Sequence, residues 1–394
     1  MSKRTLRPPR IALALAGGGP LGAIYEIGAL CALDESLEGL DFVRLDHYVG
    51  VSAGGFIAAA LANGMTPLEI CASFIEGKGE GLDVFEPAWL LQPAWGELAR
   101  RAAMFPGLAA SAILRATIGR RSVSHALEHL GRSLPTGVLS NDQVHTQLAR
   151  LFSRAGRTND FRRLRSQLTL VATDLDTGEA APFGRPGWDH VPISKAVQAS
   201  CALPGLFPPV QVGEHDYVDG ALKKTMHASV ALDDGVDLLV CLNPLVPFDA
   251  RGHRIPRIAD GGLPAVLSQT FRSMIHSRME LGMKHYERVY PATDIILIEP
   301  DHRDPELYLA NTFGYGHRKQ LAEHAYQQTR AMLRARRASL APQLERHGIT
   351  FNTEVLGEAH RHLIAPKKPP TRIGRAIADL EATLDDLGHA LQPT

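Results

Sequence analysis

Cysteine is scarce. Cys31, Cys71, Cys201 and Cys241 are the four in 394 residues, far apart and in apolar surroundings. That spacing excludes a disulfide framework and a thiolate metal site, and leaves reduced core thiols as the expectation. Charge of one sign is lacking too: 42 Lys and Arg offset 42 Asp and Glu. No global field therefore steers the chain toward nucleic acid or anionic lipid. Long hydrophobic runs are absent, and nothing approaches the ~20 apolar residues that span a bilayer. Lys3, Arg4 and Arg10 precede an apolar run in the manner of a secretory signal, but that run, Ile11 to Ala16, is only six residues. Cleavage after it would cut into the glycines that follow, so no signal peptide is expected. Internal repeats are not evident. The length suits one large or two modest domains with a full core.

What is present is glycine at two telling places. Leu45-Asp46-His47-Tyr48-Val49 reads as a strand and Gly55 to Ala62 as a helix, with Gly50-Val51-Ser52-Ala53-Gly54 between them. Asn63-Gly64 ends that helix in a left-handed cap. A serine at such a corner has a strained backbone, and Gly50 and Gly54 flank it because a Cβ would collide where strand and helix converge. The geometry exposes Ser52 at a helix N-terminus, where developing negative charge is favoured. Ser52 reads as a nucleophile; the bland alternative is a glycine-rich turn with an idle serine.

Upstream, the strand Ile11 to Ala16 runs into Gly17-Gly18-Gly19-Pro20-Leu21-Gly22, and Pro20 opens a helix carrying Leu21, Ile24, Tyr25 and Gly28 at helical spacing. Consecutive glycines there let backbone N–H groups point into open space, an anion cradle. Gly17, Gly19 and Gly22 also fit the dinucleotide fingerprint G-x-G-x-x-G, for which Asp41 or Asp46 would have to supply the ribose-binding acid. The next strand ends instead in the serine corner, which a dinucleotide fold does not use. Adjacent parallel strands would bring the Gly17–Gly19 loop beside Ser52, where each N–H aimed at an oxyanion is worth roughly 3–4 kcal/mol.

These segments together resemble the patatin-like phospholipase family. The glycine loop matches positions 17 to 22, G-x-S-x-G matches 50 to 54, and the family's Asp-Gly-Gly/Ala matches Asp219-Gly220-Ala221. Val171 to Gly178 and Ala199 to Pro209 are also similar, and the likeness covers about residues 10 to 225. One departure is Leu21, where the family often carries Arg or Lys. The resemblance implies a three-layer α/β fold with a mostly parallel central sheet, a helical insertion and a helical C-terminal extension. It also implies a serine–aspartate dyad: Ser52 as nucleophile, Asp219 as base and acid, and Gly17, Gly18 and Gly19 as the oxyanion hole. Gly22, Gly50, Gly54, Gly220 and Ala221 would support the motifs. Sequence order alone leaves a triad open, since His276, His285, His302 and His317 follow the serine. Asp234-Gly235 and Asp260-Gly261 repeat the Asp-Gly pair, and only the family motif selects Asp219. An aspartate works as a base only if burial lifts its pKa from about 3.9.

The implied activity is hydrolysis of a lipid ester (phospholipase A, lysophospholipase or acylglycerol lipase) through an acyl-enzyme, with no cofactor and no metal. An acyltransferase or thioesterase would use the same acyl-serine chemistry. A nucleotide-binding protein built on Gly17–Gly22, or a catalytically idle lipid-binding module, are the readings from other classes. His125-Ala126-Leu127-Glu128-His129 fits a zinc-peptidase signature. Gly131 cuts that segment short, Arg120, Arg121 and Arg132 flank it, and no third ligand stands out. A solvated helix is expected there.

The expected organisation is a catalytic domain over 11–225 with a helical insertion at about 65–160. A continuation of the α/β core over 226–345 and an extension over 346–394 complete it. Strands are expected at 167–173, 236–242 and 294–298, and helices at 263–290 and about 315–340. Pro366 to Pro370 mark a linker, after which Ile373, Ile377, Leu380, Leu384, Leu387 and Leu391 form a short seam, for a docked helix or a homodimer through 373–391. Phe85, Trp89, Leu90, Leu91 and Trp95, followed by six arginines between 97 and 132, suggest a lid that meets aggregated lipid. The alternative is that these aromatics are core. Expected partners are thus a lipid ester and a membrane or lipid-aggregate surface, with no nucleic acid. The expected location is cytoplasmic, peripheral at the inner face of the membrane.

Overall fold

The computed structural model describes residues 7–78, 92–118, 133–252, 257–309 and 317–365. The chain opens with β1 (Ile11–Leu15), α1 (Gly19–Ser36), β2 (Leu37–Glu38), β3 (His47–Val51), α2 (Ala53–Ala62) and α3 (Pro67–Ile70). A π-helical turn, Cys71–Glu76, extends α3, and α4 (Trp95–Ile118) and α5 (Asp142–Phe152) follow. Then come β4 (Gln167–Asp174), β5 (Ala180–Phe183), α6 (Ile193–Ser200), β6 (Val210–Val212), β7 (His215–Asp219), α7 (Ser229–Asp233) and β8 (Leu238–Leu242). Last are α8 (Gly262–Val289), β9 (Asp294–Ile298), α9 (Pro305–Leu309), α10 (Arg318–Glu345), β10 (Thr350–Phe351) and α11 (Thr353–Gly357).

The main sheet runs β6-β7-β4-β3-β1-β8-β9, with β5 also paired to β4. Its β4-β3-β1-β8-β9 portion is parallel, while β5, β6 and β7 are antiparallel additions at one side. The fold is a mixed α/β architecture with a mostly parallel sheet. Strand β1 shows why both faces are covered. Ile11, Leu13 and Leu15 point into a large core shared with α1, α2, α5, α6 and α10; Ala12 and Ala14, with Ala16 just after the strand, point into a smaller core shared with α7 and α8. Side chains alternate along a strand, so an all-apolar strand must be buried on both sides. Strands β8 and β9 extend the same sheet from β1, so the chain beyond 225 is built into the structure that positions the corner. The short pair β2–β10 ties residues 350–351 back to the end of α1.

Arg330 on α10 is fully buried, and it donates to the carbonyls of Val355 (2.5 Å), Glu358 (2.8 Å) and Arg361 (3.2 Å). These bonds hold the returning chain against α10. Arg330→Met keeps bulk but strips the three carbonyls of their donor, and should cost about 3 kcal/mol or more. Urea unfolding of the two proteins checks this; a loss below about 1 kcal/mol would mean water replaces the guanidinium.

Among the described helices none is long and apolar enough to cross a membrane. The His125–His129 segment, Phe85, Trp89, Leu90, Leu91 and the 373–391 seam lie outside the described residues. Trp95 is 72% exposed at the start of α4 and is not core.

Candidate active site

Ser52 follows β3 and caps α2 with φ 52° and ψ −124°. Positive φ is costly for a residue with a Cβ, on the order of 1–3 kcal/mol, and persists only where packing over-determines it. The packing here is close. A Cβ on Gly54 would stand 2.5 Å from the Ala16 carbonyl oxygen, and one on Gly50 would stand 2.5 Å from the Gly55 Cα. Gly64 then turns the chain out of α2 at φ +81°, with its N–H on the Leu61 carbonyl and that of Met65 on Ala60.

The corner does not leave Ser52 open as its geometry suggests: the residue is only 6% exposed. The glycine loop is one reason. A Cβ on Gly17 would stand 3.2 Å from the Cβ atoms of both Ser52 and Ala221, so a side chain there would crowd both and push the loop off the serine by a few tenths of an ångström. Gly18 caps α1, Gly19 begins it at φ +60°, and Gly22 returns its N–H to the Gly18 carbonyl at 3.0 Å. Pro244, after β8, packs over Gly18 and Gly22. Among the described residues no hydrogen bond uses the N–H of Gly17 or Gly18. Leu21 is buried in the core, so the position holds no cation.

Asp219 ends β7 and is 3% exposed. Burial pushes its carboxyl up to about 6, against the opposing pull of the Ala221 N–H and the Ser52 hydroxyl, which favour the charged form. The Ala221 N–H donates to Asp219 Oδ1 at 2.9 Å. Asp219 is thus a carboxylate near neutral pH, yet far more basic than an exposed one. Ser52, Asp219 and the Gly17 loop meet at the carboxyl edge of the parallel strands, where open α/β sheets place their sites.

Three neighbours escaped the sequence reading. The Ser52 N–H donates to Ser200 Oγ at 2.8 Å, and the Ser200 hydroxyl donates to the Val171 carbonyl at 2.6 Å. Ser200 therefore pins the strained corner to β4 and takes up the N–H of Ser52. His227, buried and at φ 47°, donates from Nε2 to the Gly220 carbonyl at 3.2 Å, and burial lowers its pKa to about 4. It is neutral and braces the turn after Asp219. Cys201 is not a remote core thiol: it lies against Ser52, and burial with the Asp219 charge pushes its pKa far up, keeping it protonated. Only Ser200 and Cys201 had a signal, in belonging to the Ala199–Pro209 segment.

The late histidines stand elsewhere. His276 lies between Glu280 (3.6 Å) and Glu299 (3.8 Å), His302 donates to the Pro247 carbonyl, and His317 pairs with Gln320. His285 is exposed on α8. None of the four bonds to Ser52 or Asp219 among the described residues. The dinucleotide reading fails on position: Asp46 accepts the Ile11 N–H at 2.8 Å, at the opposite end of β1 from the glycines. Asp41 pairs with Val43 and Arg44 in the same connection. Among the described residues no cluster of His, Cys, Asp and Glu could hold a metal. Asp234 and Asp260 are also away from Ser52: the former binds Arg185, and the latter caps the turn at Arg257.

Fold and site together define an α/β protein whose serine corner, glycine loop and buried aspartate converge on one point. The chain belongs to the patatin-like phospholipase family, whose model matches residues 13–232. Uncharacterised NTE family proteins of Mycobacterium bovis and Mycobacterium tuberculosis are 25% identical over 261 residues, 66% of this chain. The chain spans about a third of their length, 33%. Among solved structures, VipD from Legionella pneumophila aligns at 18% identity with a TM-score of 0.35, over 81% of this chain and 67% of its own. The type III effector protein ExoU aligns at 19% identity with a TM-score of 0.31, over 84% and 53%.

Proposed function

We propose that the protein is a serine-dependent lipid acyl hydrolase acting through an acyl-enzyme on Ser52, with Asp219 as base and then acid. The observation that carries this reading is the pairing of a strained serine with a buried carboxyl whose pKa stands at about 6. Asp219 takes the hydroxyl proton as Ser52 Oγ attacks the ester carbonyl. The N–H groups of Gly17, Gly18 and Gly19 receive the oxyanion. Asp219 then gives the proton to the leaving alcohol, and water repeats the cycle on the acyl group. Family membership supports a lipid ester as substrate. The four free thiols support a reducing compartment, and with it a cytoplasmic location.

The test is fluorophosphonate labelling with peptide mapping, followed by a panel of phospholipids, lysophospholipids and acylglycerols on the same chelated, dialysed preparation. Label on Ser52 and full turnover without metal or nucleotide are expected. Label elsewhere, or activity restored only by zinc, would overturn the reading. Ser200 gives a further expectation. Ser200→Ala leaves the Ser52 N–H and the Val171 carbonyl without their shared partner, so kcat on a soluble ester should fall by about 10–100-fold with KM little changed. Full kcat with a lower melting temperature would reduce Ser200 to a structural role.

A further inference from the structure

Helix α8 leaves most of its length uncovered: of its 28 residues only Met279 is buried. Leu263, Val266, Leu267, Phe271, Met274 and Leu281 are 41–70% exposed. At about 100° per residue these six fall on one side of the helix. Arg278, His285 and Arg288, all exposed, share that side. The two acids of the helix, Glu280 and Glu287, turn away from it.

The face borders the candidate active site. Arg278 donates to the Leu222 carbonyl at 3.0 Å, and Thr225 donates to the Ile275 carbonyl at 3.4 Å. Arg272, on the inner side, donates to Val246. These bonds lash α8 across the turns that follow β7 and β8, close to Asp219. Two more exposed apolar residues stand on the same edge: Leu175, just after β4, and Leu203, next to the Ala202 carbonyl that accepts the Asp219 N–H.

So many large apolar side chains exposed along one side of a helix are uncommon on a free surface and mark an interaction site. Its charges identify the occupant. Cations beside apolar side chains, with neither acid of the helix on that side, match a lipid surface that offers acyl chains below and phosphates at the rim. We infer that the α8 face docks the protein on an anionic phospholipid bilayer and so brings Ser52 to ester bonds held there. This deepens the hydrolase reading and rests on it for the use made of the docking.

The test is flotation of the full chain with phosphatidylcholine vesicles, with and without phosphatidylglycerol. Leu267→Glu with Phe271→Glu should weaken binding to the mixed vesicles about tenfold or more. Arg288→Glu should weaken binding to mixed vesicles while sparing the neutral ones. Turnover of a short soluble ester should be unchanged in both. If the first pair lowers the melting temperature, Leu263→Ser with Leu281→Ser replaces it. Three results would each overturn the inference: no vesicle binding by wild type, equal binding by the apolar variants, or a wild-type dimer that those variants split. Wild type that binds vesicles but cleaves no ester would instead refute the hydrolase reading and leave the docking face standing.

Discussion

Ser52→Ala is expected to drop ester hydrolysis below about a hundredth of wild type and to abolish fluorophosphonate labelling, with the fold retained. Alanine keeps the Cβ, so the strain at φ 52° remains and only the nucleophile goes. Activity above that level would sink the serine mechanism. Ser52→Gly separates strain from chemistry. It should be equally inactive, yet about 1 kcal/mol more stable than the alanine variant, because glycine adopts positive φ without a Cβ clash. Denaturant melts of both variants give the comparison. Equal stability would mean that the corner is relaxed.

Asp219→Asn should lower hydrolysis by ~10²–10⁴, the range typical of general-base loss. With Asp219 intact, the rate should fall as pH drops below about 6, where the buried carboxyl takes up its proton. His→Ala changes at 276, 285, 302 and 317 should keep most activity; a knockout by one of them, without unfolding, would make the site a triad.

Stability should move the other way from activity. Because the Asp219 pKa is raised in the folded state, the native chain holds the more protons between about 3.9 and about 6. Its contribution is best at low pH and is lost as pH rises through about 6. At pH 8 the buried carboxylate therefore costs on the order of 2–3 kcal/mol. Asn should recover part of that at pH 8 and little near pH 4. His47 and His227, both lowered to about 4 by burial, have the opposite sign. The unfolded chain takes up their protons below about 6.5, so the stability they confer is lost as pH falls from there toward 4. Thermal melts of wild type and Asp219→Asn at several pH values test both signs. A variant less stable at pH 8 would show that the Ala221 N–H and the Ser52 hydroxyl outweigh the burial of the carboxylate.

What was legible in the sequence was local. The Ile11–Ala16 strand, the glycines after it and the serine corner are contiguous signals, and the strand expected at 167–173 is β4 at Gln167–Asp174. The helix expected at 263–290 is α8 at Gly262–Val289. Asp219 depended on family likeness, because three Asp-Gly pairs look alike and only burial tells them apart. The missing partners are long-range. Ser200 lies 148 positions from the N–H it accepts, and no periodicity announces such a bond. The burial of Ser52 was likewise invisible, since it comes from Gly17, Ala221 and Cys201 closing in from three separate stretches. Composition also hides where apolar residues go: Leu263, Phe271 and Leu281 read as core by type, yet they face outward.

The sheet changes character between Ser52 and Asp219. Ser52 follows β3, held in parallel by β1 and β4, whereas Asp219 rides on β7, which meets β4 only at Ala172, Thr173 and Asp174. Among the described residues only β6 lies beyond β7, paired over Val210 to Val212. Ser52 is therefore expected to lie in a slowly exchanging part of the molecule, and Asp219, one strand in from the margin, in a part that opens sooner. Amide protons of Tyr217 and Val218 should trade with solvent sooner than those of Val49 and Gly50. Mild denaturant should silence turnover at concentrations where the parallel strands remain protected. Catalytic lifetime would then be set by a local opening at one margin of the sheet, well below the free energy of global unfolding.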